Sequence, residues 1–121
     1  MSNRFAGVAN VTVDGDPIAV RGNLTVHAAK RVRTGIAGQD GVHGFSEMPQ
    51  VPAIEMDVST LEGFSAEAID VLEDGTIIAE AANGTVWTLR DAWKAGTTEI
   101  NTAEGMVRIR FEGMDIQEFT I

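Results

Sequence analysis

A mainly β fold, two packed antiparallel sheets forming a sandwich or partial barrel with one short helix and a long arm loop, is predicted by three features of this chain. Apolar and polar residues alternate with a period of two over several segments, as strands with one buried face require. Asp14-Gly15 and Asn83-Gly84 separate such segments with the turn chemistry that closes hairpins. Only one segment, Ser65 to Asp74, spaces its apolar residues as a helix does.

The elements follow in chain order. From Phe5 to Val13, Phe5, Gly7, Ala9, Val11 and Val13 share one strand face, and Ala6, Val8, Asn10 and Thr12 share the other. Asp14-Gly15-Asp16-Pro17 turns the chain, because Asp-Gly tolerates positive φ and Pro17 cannot donate to a ladder. The return strand, Ile18 to Ala28, points Ile18, Val20, Leu24 and Val26 inward and Arg21, Asn23, Thr25 and His27 outward. Ala53 to Val58 alternates again, with Ile54, Met56 and Val58 opposite Glu55 and Asp57. Ser65 suits a helix N-cap, Glu67 suits the positive N-terminal end, and Gly75 is expected to stop the helix. Thr76 to Ala82 and Thr85 to Arg90 make a hairpin about Asn83-Gly84, with apolar side chains on both faces that predict cover on both sides. Ala92 to Ile100 reads as a further extended segment. Met106 to Glu112 and Met114 to Thr120 complete about seven strands.

The exception is Lys30 to Pro52, KRVRTGIAGQDGVHGFSEMPQVP. A connection of roughly twenty residues is unusual inside a compact domain. Val32, Ile36, Val42, Phe45 and Met48 are apolar anchors that a solvated linker would not need. The segment is expected to be an arm that orders against another subunit. Its contact residues are expected to be Arg31, Arg33, Gln39, Asp40, Val42, His43 and Phe45.

At 121 residues the chain is expected to be one domain, 1–121, able to bury a core without staples. The absence of cysteine excludes disulfides, thiolate metal sites and cysteine nucleophiles. With no run of about eighteen apolar residues, a soluble protein of a cytoplasm-like compartment is expected. The net charge of -9 is uneven. Residues 1–33 carry five basic and two acidic side chains, residues 34–89 none and ten, and residues 90–121 four and six. That division suits head-to-tail contact between copies, and the acidic field repels nucleic acid.

Enzymatic and metal chemistry finds little footing. The two histidines, His27 and His43, show no metal-ligand spacing, so neither metal nor cofactor is expected. No serine sits in G-x-S-x-G. The glycines of GIAGQDGVHG lack the lysine of a phosphate loop and are read as bends in an extended arm. Glu55 and Asp57 share a strand face, as a hydrolase dyad would, but a solvated or lumen-facing acidic row explains them better. Arg108 and Arg110 are expected to pair with acidic neighbours across strands or subunits. A monomeric sandwich module binding carbohydrate would rely on Trp87 and Trp93.

Over nearly its whole length the chain resembles the tail tube proteins of tailed bacteriophages, in particular those of Mu-like contractile-tailed phages. The resemblance runs through FAGVANVTVDGDPIAVRGNLTV, RVRTGIAGQDGVHGFSEMPQVPAIEMDV, LEDGTIIAEAANGTVWTLRDAW and TAEGMVRIRFEGMD, in that order. It implies homohexameric rings in which one sheet of each subunit joins an inner β-barrel. Such rings stack into a hollow tube that holds a tape measure protein and passes DNA in transit, without sequence-specific binding and without a membrane. Sheath, baseplate and tail terminator proteins are the implied partners, and the virion, assembled in the host cytoplasm, the implied location. A tube subunit of a phage-like bacteriocin or secretion device carries the same implication. Glu55 and Asp57 become candidates for the channel wall, where Arg21, Arg108 and Arg110 would blunt their field.

Overall fold

The computed structural model describes residues 10–61 and 64–120. Among the described residues, eleven strands and one helix follow one another: β1 (Asn10–Val13), β2 (Asp16–Ile18), β3 (Val20–His27), β4 (Arg31–Gly38), β5 (Gly41–Pro49), β6 (Ala53–Ser59), α1 (Ala66–Asp70), β7 (Gly75–Glu80), β8 (Val86–Ala95), β9 (Ile100–Asn101), β10 (Met106–Glu112) and β11 (Asp115–Phe119). The expected start of the first strand, Phe5 to Ala9, lies outside the described residues.

All pairings are antiparallel, and they make two layers. The first sheet runs β2-β1-β7-β8-β11, and the second runs β8-β10-β6-β3 with β9 beside β10. Strand β8 serves both. Its residues 86–92 pair with β7, and Trp93 to Ala95 pair with β10. Asp91, at φ 50°, makes the corner between the two parts, where the β7 register also shifts. At the same corner Gly113 lies under β8, and a Cβ there would come within 2.8 Å of the Arg90 carbonyl oxygen.

The alternation read from the sequence explains the core. Ile54, Met56 and Val58 from β6 and Val107, Ile109 and Phe111 from β10 meet Val11, Ile77, Ala79 and Leu89 of the first sheet, all buried. Period-two patterning puts each of these on the inner face of its strand, and interdigitation of the two faces makes the dry layer.

Five expectations are corrected. Residues 30–52 do not form a loop: β4 and β5 pair as a two-stranded hairpin over Arg31↔Pro49 to Gly38↔Gly41. Its residues alternate and include the β-branched Val32, Thr34, Ile36 and Val42, and Gln39-Asp40 makes a tight turn between glycines. The helix spans only Ala66–Asp70. The Ser65 Oγ accepts from the Ala68 N–H at 3.2 Å, as an N-cap should, but so short a helix lasts only where Ile69 and Leu72 touch the core. Gly75 is thus the first residue of β7 and not the helix stop. The outward side of the β7–β8 hairpin is also open, with Ile78 and Glu80 exposed, because the second sheet covers only the face of Ile77 and Leu89. The segment expected over Ala92 to Ile100 is divided: Ala92 to Ala95 prolongs β8, and Ile100 begins β9.

Among the described residues Phe111 is the largest fully buried side chain, and it sits on β10, an inner strand of the second sheet. Phe111→Ala is expected to cost about 3–5 kcal/mol in a urea titration, with the slope of the transition unchanged.

Candidate assembly interface

The arm is a continuation of the body's own ladder. β3 and β6 pair from Val20↔Val58 to His27↔Ala53, and β4 and β5 resume from Arg31↔Pro49. A backbone bond from Gln50 N–H to the Lys30 carbonyl, 2.9 Å, bridges the gap. Lys30 Nζ also reaches Asp115 Oδ1 at 2.7 Å, which ties the root of the arm to β11. The hydrogen bond from Lys30 holds the Asp115 carboxyl below its ordinary pKa.

Beyond that root every residue from Arg31 to Pro49 is exposed. Cross-strand register sorts them onto two faces. One face carries Arg31, Arg33, Phe45 and Glu47: the Arg31 Nη1 and Arg33 Nε donate to Glu47 Oε1 at 3.3 and 3.2 Å, and the Arg33 guanidinium lies 5.0 Å above the Phe45 ring. The other face carries Val32, Ile36 and Met48, between 46% and 69% exposed. At the tip, Gln39 and Asp40 turn the chain, Val42 is 83% exposed, and Asp40 Oδ1 meets His43 Nε2 at 2.6 Å. The His43 bond holds the Asp40 carboxyl below its ordinary range. A bulge at His43–Gly44, with Gly44 at φ 134°, lets that ring fold back over Gly38.

The residues expected at the interface thus divide into a cationic–aromatic face (Arg31, Arg33, Phe45) and a polar tip (Gln39, Asp40, His43) beside Val42. Four further residues lie outside that set. Glu47, which binds both arginines, was legible as a carboxylate cross-strand from cations, given the hairpin register. Val32, Ile36 and Met48, expected only as apolar anchors, form a second surface once the segment is a hairpin.

Glu55 and Asp57 lie on the outward face of the second sheet, and neither is a bare acid. Glu55 contacts His27 Nε2 at 3.3 Å, Arg108 Nη2 at 3.3 Å and Arg110 Nη1 at 3.1 Å. Asp57, 7% exposed, accepts from Asn23 Nδ2 at 2.6 Å and Arg108 Nη1 at 3.1 Å. Asn23 reaches it because a bulge in β3 sets this residue at φ 55°. Arg110 also binds Glu112, and Arg21 Nε donates to Ser59 Oγ. Arg108 and Arg110 therefore face three carboxylates, Glu55, Asp57 and Glu112. The Asn23 bond, and behind it Arg108, keeps Asp57 below the usual carboxylate pKa; for Glu55 the leading cause is the His27 contact, followed by Arg110 and Arg108.

A family model described as phage tail tube protein matches residues 2–118. The chain belongs to that family. Its fold is shared with solved structures at low identity. The cap that terminates the tube of the anti-feeding prophage is 14% identical with a TM-score of 0.68, covering 100% of this chain and 95% of that one. The sheath–tube complex of the PVC extracellular contractile injection system offers a chain with 12% identity and a TM-score of 0.65, covering 93% and 88%. Hcp1 from Flavobacterium johnsoniae gives 12% and 0.54, covering 95% and 100%. A search of curated protein sequences finds no match. Among the described residues, β2, β11, β3 and β9 lie at the sheet edges, each with one side of its backbone unpaired.

Arg108 is the cation shared by Glu55 and Asp57, so Arg108→Met tests the network. It is expected to cost about 1–2 kcal/mol at pH 7, chiefly by leaving the buried Asp57 one partner short. Because the folded pKa of Asp57 is depressed, this stabilisation is present above the unfolded carboxylate value, about 4, and is lost as pH falls through the lower folded value. Urea titrations of wild type and variant should differ at pH 7 and converge near pH 2.

Proposed function

We propose that this tail tube protein is the repeating subunit of a contractile injection tail: copies close into a homohexameric ring, and rings stack into a hollow tube. The observation that carries this reading is the arm. A two-stranded hairpin alone is marginal in water, and this one is exposed on both faces with apolar side chains on each. Neighbouring copies supply the cover it lacks.

Ring closure follows from the sheet edges. The free edge of β3 in one copy pairs with the edge made by β9 and the end of β8 in the next, so the second sheets merge into an inner barrel. Barrel strands run steeply along the axis, tilted by about 35–45°. The arm prolongs β3 and β6, and eight residues at roughly 3.3 Å each carry it about 26 Å toward the adjacent ring. The face of Glu55, Asp57, Arg108 and Arg110 then lines the channel. Its charges are paired within each subunit, so a duplex is neither held nor strongly repelled. A tape measure protein occupies this channel during assembly and DNA crosses it during ejection, while the open face of Ile78 and Glu80 turns outward to a sheath. Baseplate and terminator proteins close the ends, in a virion assembled in the host cytoplasm.

The protein acts as a structural element and not as an enzyme. Glu55 and Asp57 are held as anions by their partners, whereas a general acid needs a raised pKa. Trp87 and Trp93 lie within β8, partly buried, with Trp87 Nε1 bonded to Glu118, and so do not form the aromatic loop of a carbohydrate module. A second reading, the tube of a phage-like bacteriocin or secretion device, is favoured by the likeness to the anti-feeding prophage and PVC chains.

Replacing residues 35–47 by two glycines should leave a folded subunit that sediments as a monomer, lighter than the 12.9 kDa of the full chain by the mass of the segment removed, since the core contains no arm residue. Negative-stain microscopy should show no tubes. Native-length tubes from that variant would defeat the proposal.

A further inference from the structure

The Lys94 side chain is only 1% exposed, and lysine is almost never buried without a partner. Its register partner on β10 is Phe111, so it points into the inner face that Phe111 fills. The ammonium reaches the end of α1, whose last residue is Asp70. There Nζ donates to the Gly96 carbonyl at 3.0 Å and lies 3.4 Å from Asp70 Oδ1. The Thr98 Oγ1 donates to the same carboxylate oxygen at 3.0 Å.

These contacts close over a stretch with little else to hold it. Residues 96–99 connect β8 to β9 and belong to no strand. Among the described residues, their hydrogen bonds outside the ladders are those to Lys94 and Asp70. Strand β9 then adds only Ile100 and Asn101 to the sheet. Asp70 is a firm anchor for the stretch, because its neighbour Ile69 packs on the core.

The same stretch lies in the middle of a sheet edge. Strand β10 pairs with β8 at Arg110 to Glu112 and with β9 at Met106 and Val107, so β8 and β9 share one rim with residues 96–99 between them. The β7 pairing ends at Ala92. Lys94 as a whole is half-buried although its side chain is not exposed, which puts its accessible surface on the main chain. One residue thus offers backbone to the rim and hides its charge behind it. A methionine would fill the inner site without desolvating a charge, so packing alone gives no reason for a lysine here.

We propose that Lys94 is a positioning residue for ring closure: with Asp70 and Thr98 it holds residues 96–99 in line, so that β9 and the end of β8 present one continuous edge to β3 of the next copy. This rests on the tube reading above and deepens it by naming what shapes the receiving edge. The ammonium touches no neighbouring subunit. It acts by sparing the edge the entropy of ordering on contact.

Lys94→Met keeps an apolar stem and removes the charge, while Asp70→Asn breaks the latch from its exposed side, where the carboxylate is 57% exposed. Both variants should melt close to wild type yet need more protein to form tubes, about tenfold more if one subunit in ten holds its edge in place. Amide hydrogen exchange on dilute, unassembled subunits should quicken over residues 97–101 and stay slow over 86–92. Lys94→Met combined with Asp70→Asn should assemble no worse than Lys94→Met alone, since both break one latch. If Lys94→Met does not fold, the Asp70→Asn subunit still decides the matter by the same exchange and assembly measurements. Tubes from the variants at the wild-type concentration, unchanged exchange over 97–101, or losses that add in the double variant overturn the inference and leave the tube reading standing. Wild-type subunits that form no ring at any concentration sink both.

Discussion

The backbone ladder between β3 and β6 is the constraint on which the rest depends. It forms the edge of the second sheet, contributes Ile54, Met56 and Val58 to the core, and passes through the Lys30–Gln50 bond into the β4–β5 arm. Because a paired ladder is stiff where a loop is not, the arm inherits its direction from the body. In the proposed tube, ordering the arm beforehand lowers the entropy that would be lost when a second copy binds.

The same ladder carries the electrostatics. Glu55 and Asp57 project from β6, and the antiparallel register sets Arg110 and Arg108 of β10 directly opposite them. On the other side β3 brings His27 and, through its bulge, Asn23. A carboxylate as buried as Asp57 requires such partners, since an unpaired charge there would be costly. The consequence is a face of locked, alternating charge. Paired in this way, the face presents a weaker field than its carboxylates alone would give.

Much of this was legible in the residues and some was not. The buried sets of β6 and β10 follow from alternation alone, and the pairing of Arg108 and Arg110 with acidic neighbours follows from strands that alternate charge. The arm's extent and its apolar content were also visible. Its form was not: a run rich in glycine and charge has no buried face, and hydrophobic periodicity, the main signal for a strand, is strongest where burial is one-sided. The helix ends at Asp70 although its apolar spacing continues to Leu72, because Leu72 packs on the core from beyond the helix end and spacing alone does not mark the boundary. The corner at Asp91 had no signal, because a single residue with positive φ in a strand reads locally like any other.

By itself the sequence determined the fold class, the hairpin turns, the inward faces and the existence of an arm, because each is a local property of spacing or turn chemistry. Tertiary structure alone decided that β8 divides between two sheets and that the arm prolongs the β3–β6 ladder. These depend on which strands meet. Strand register is set by the packing of distant faces and not by neighbours in the chain.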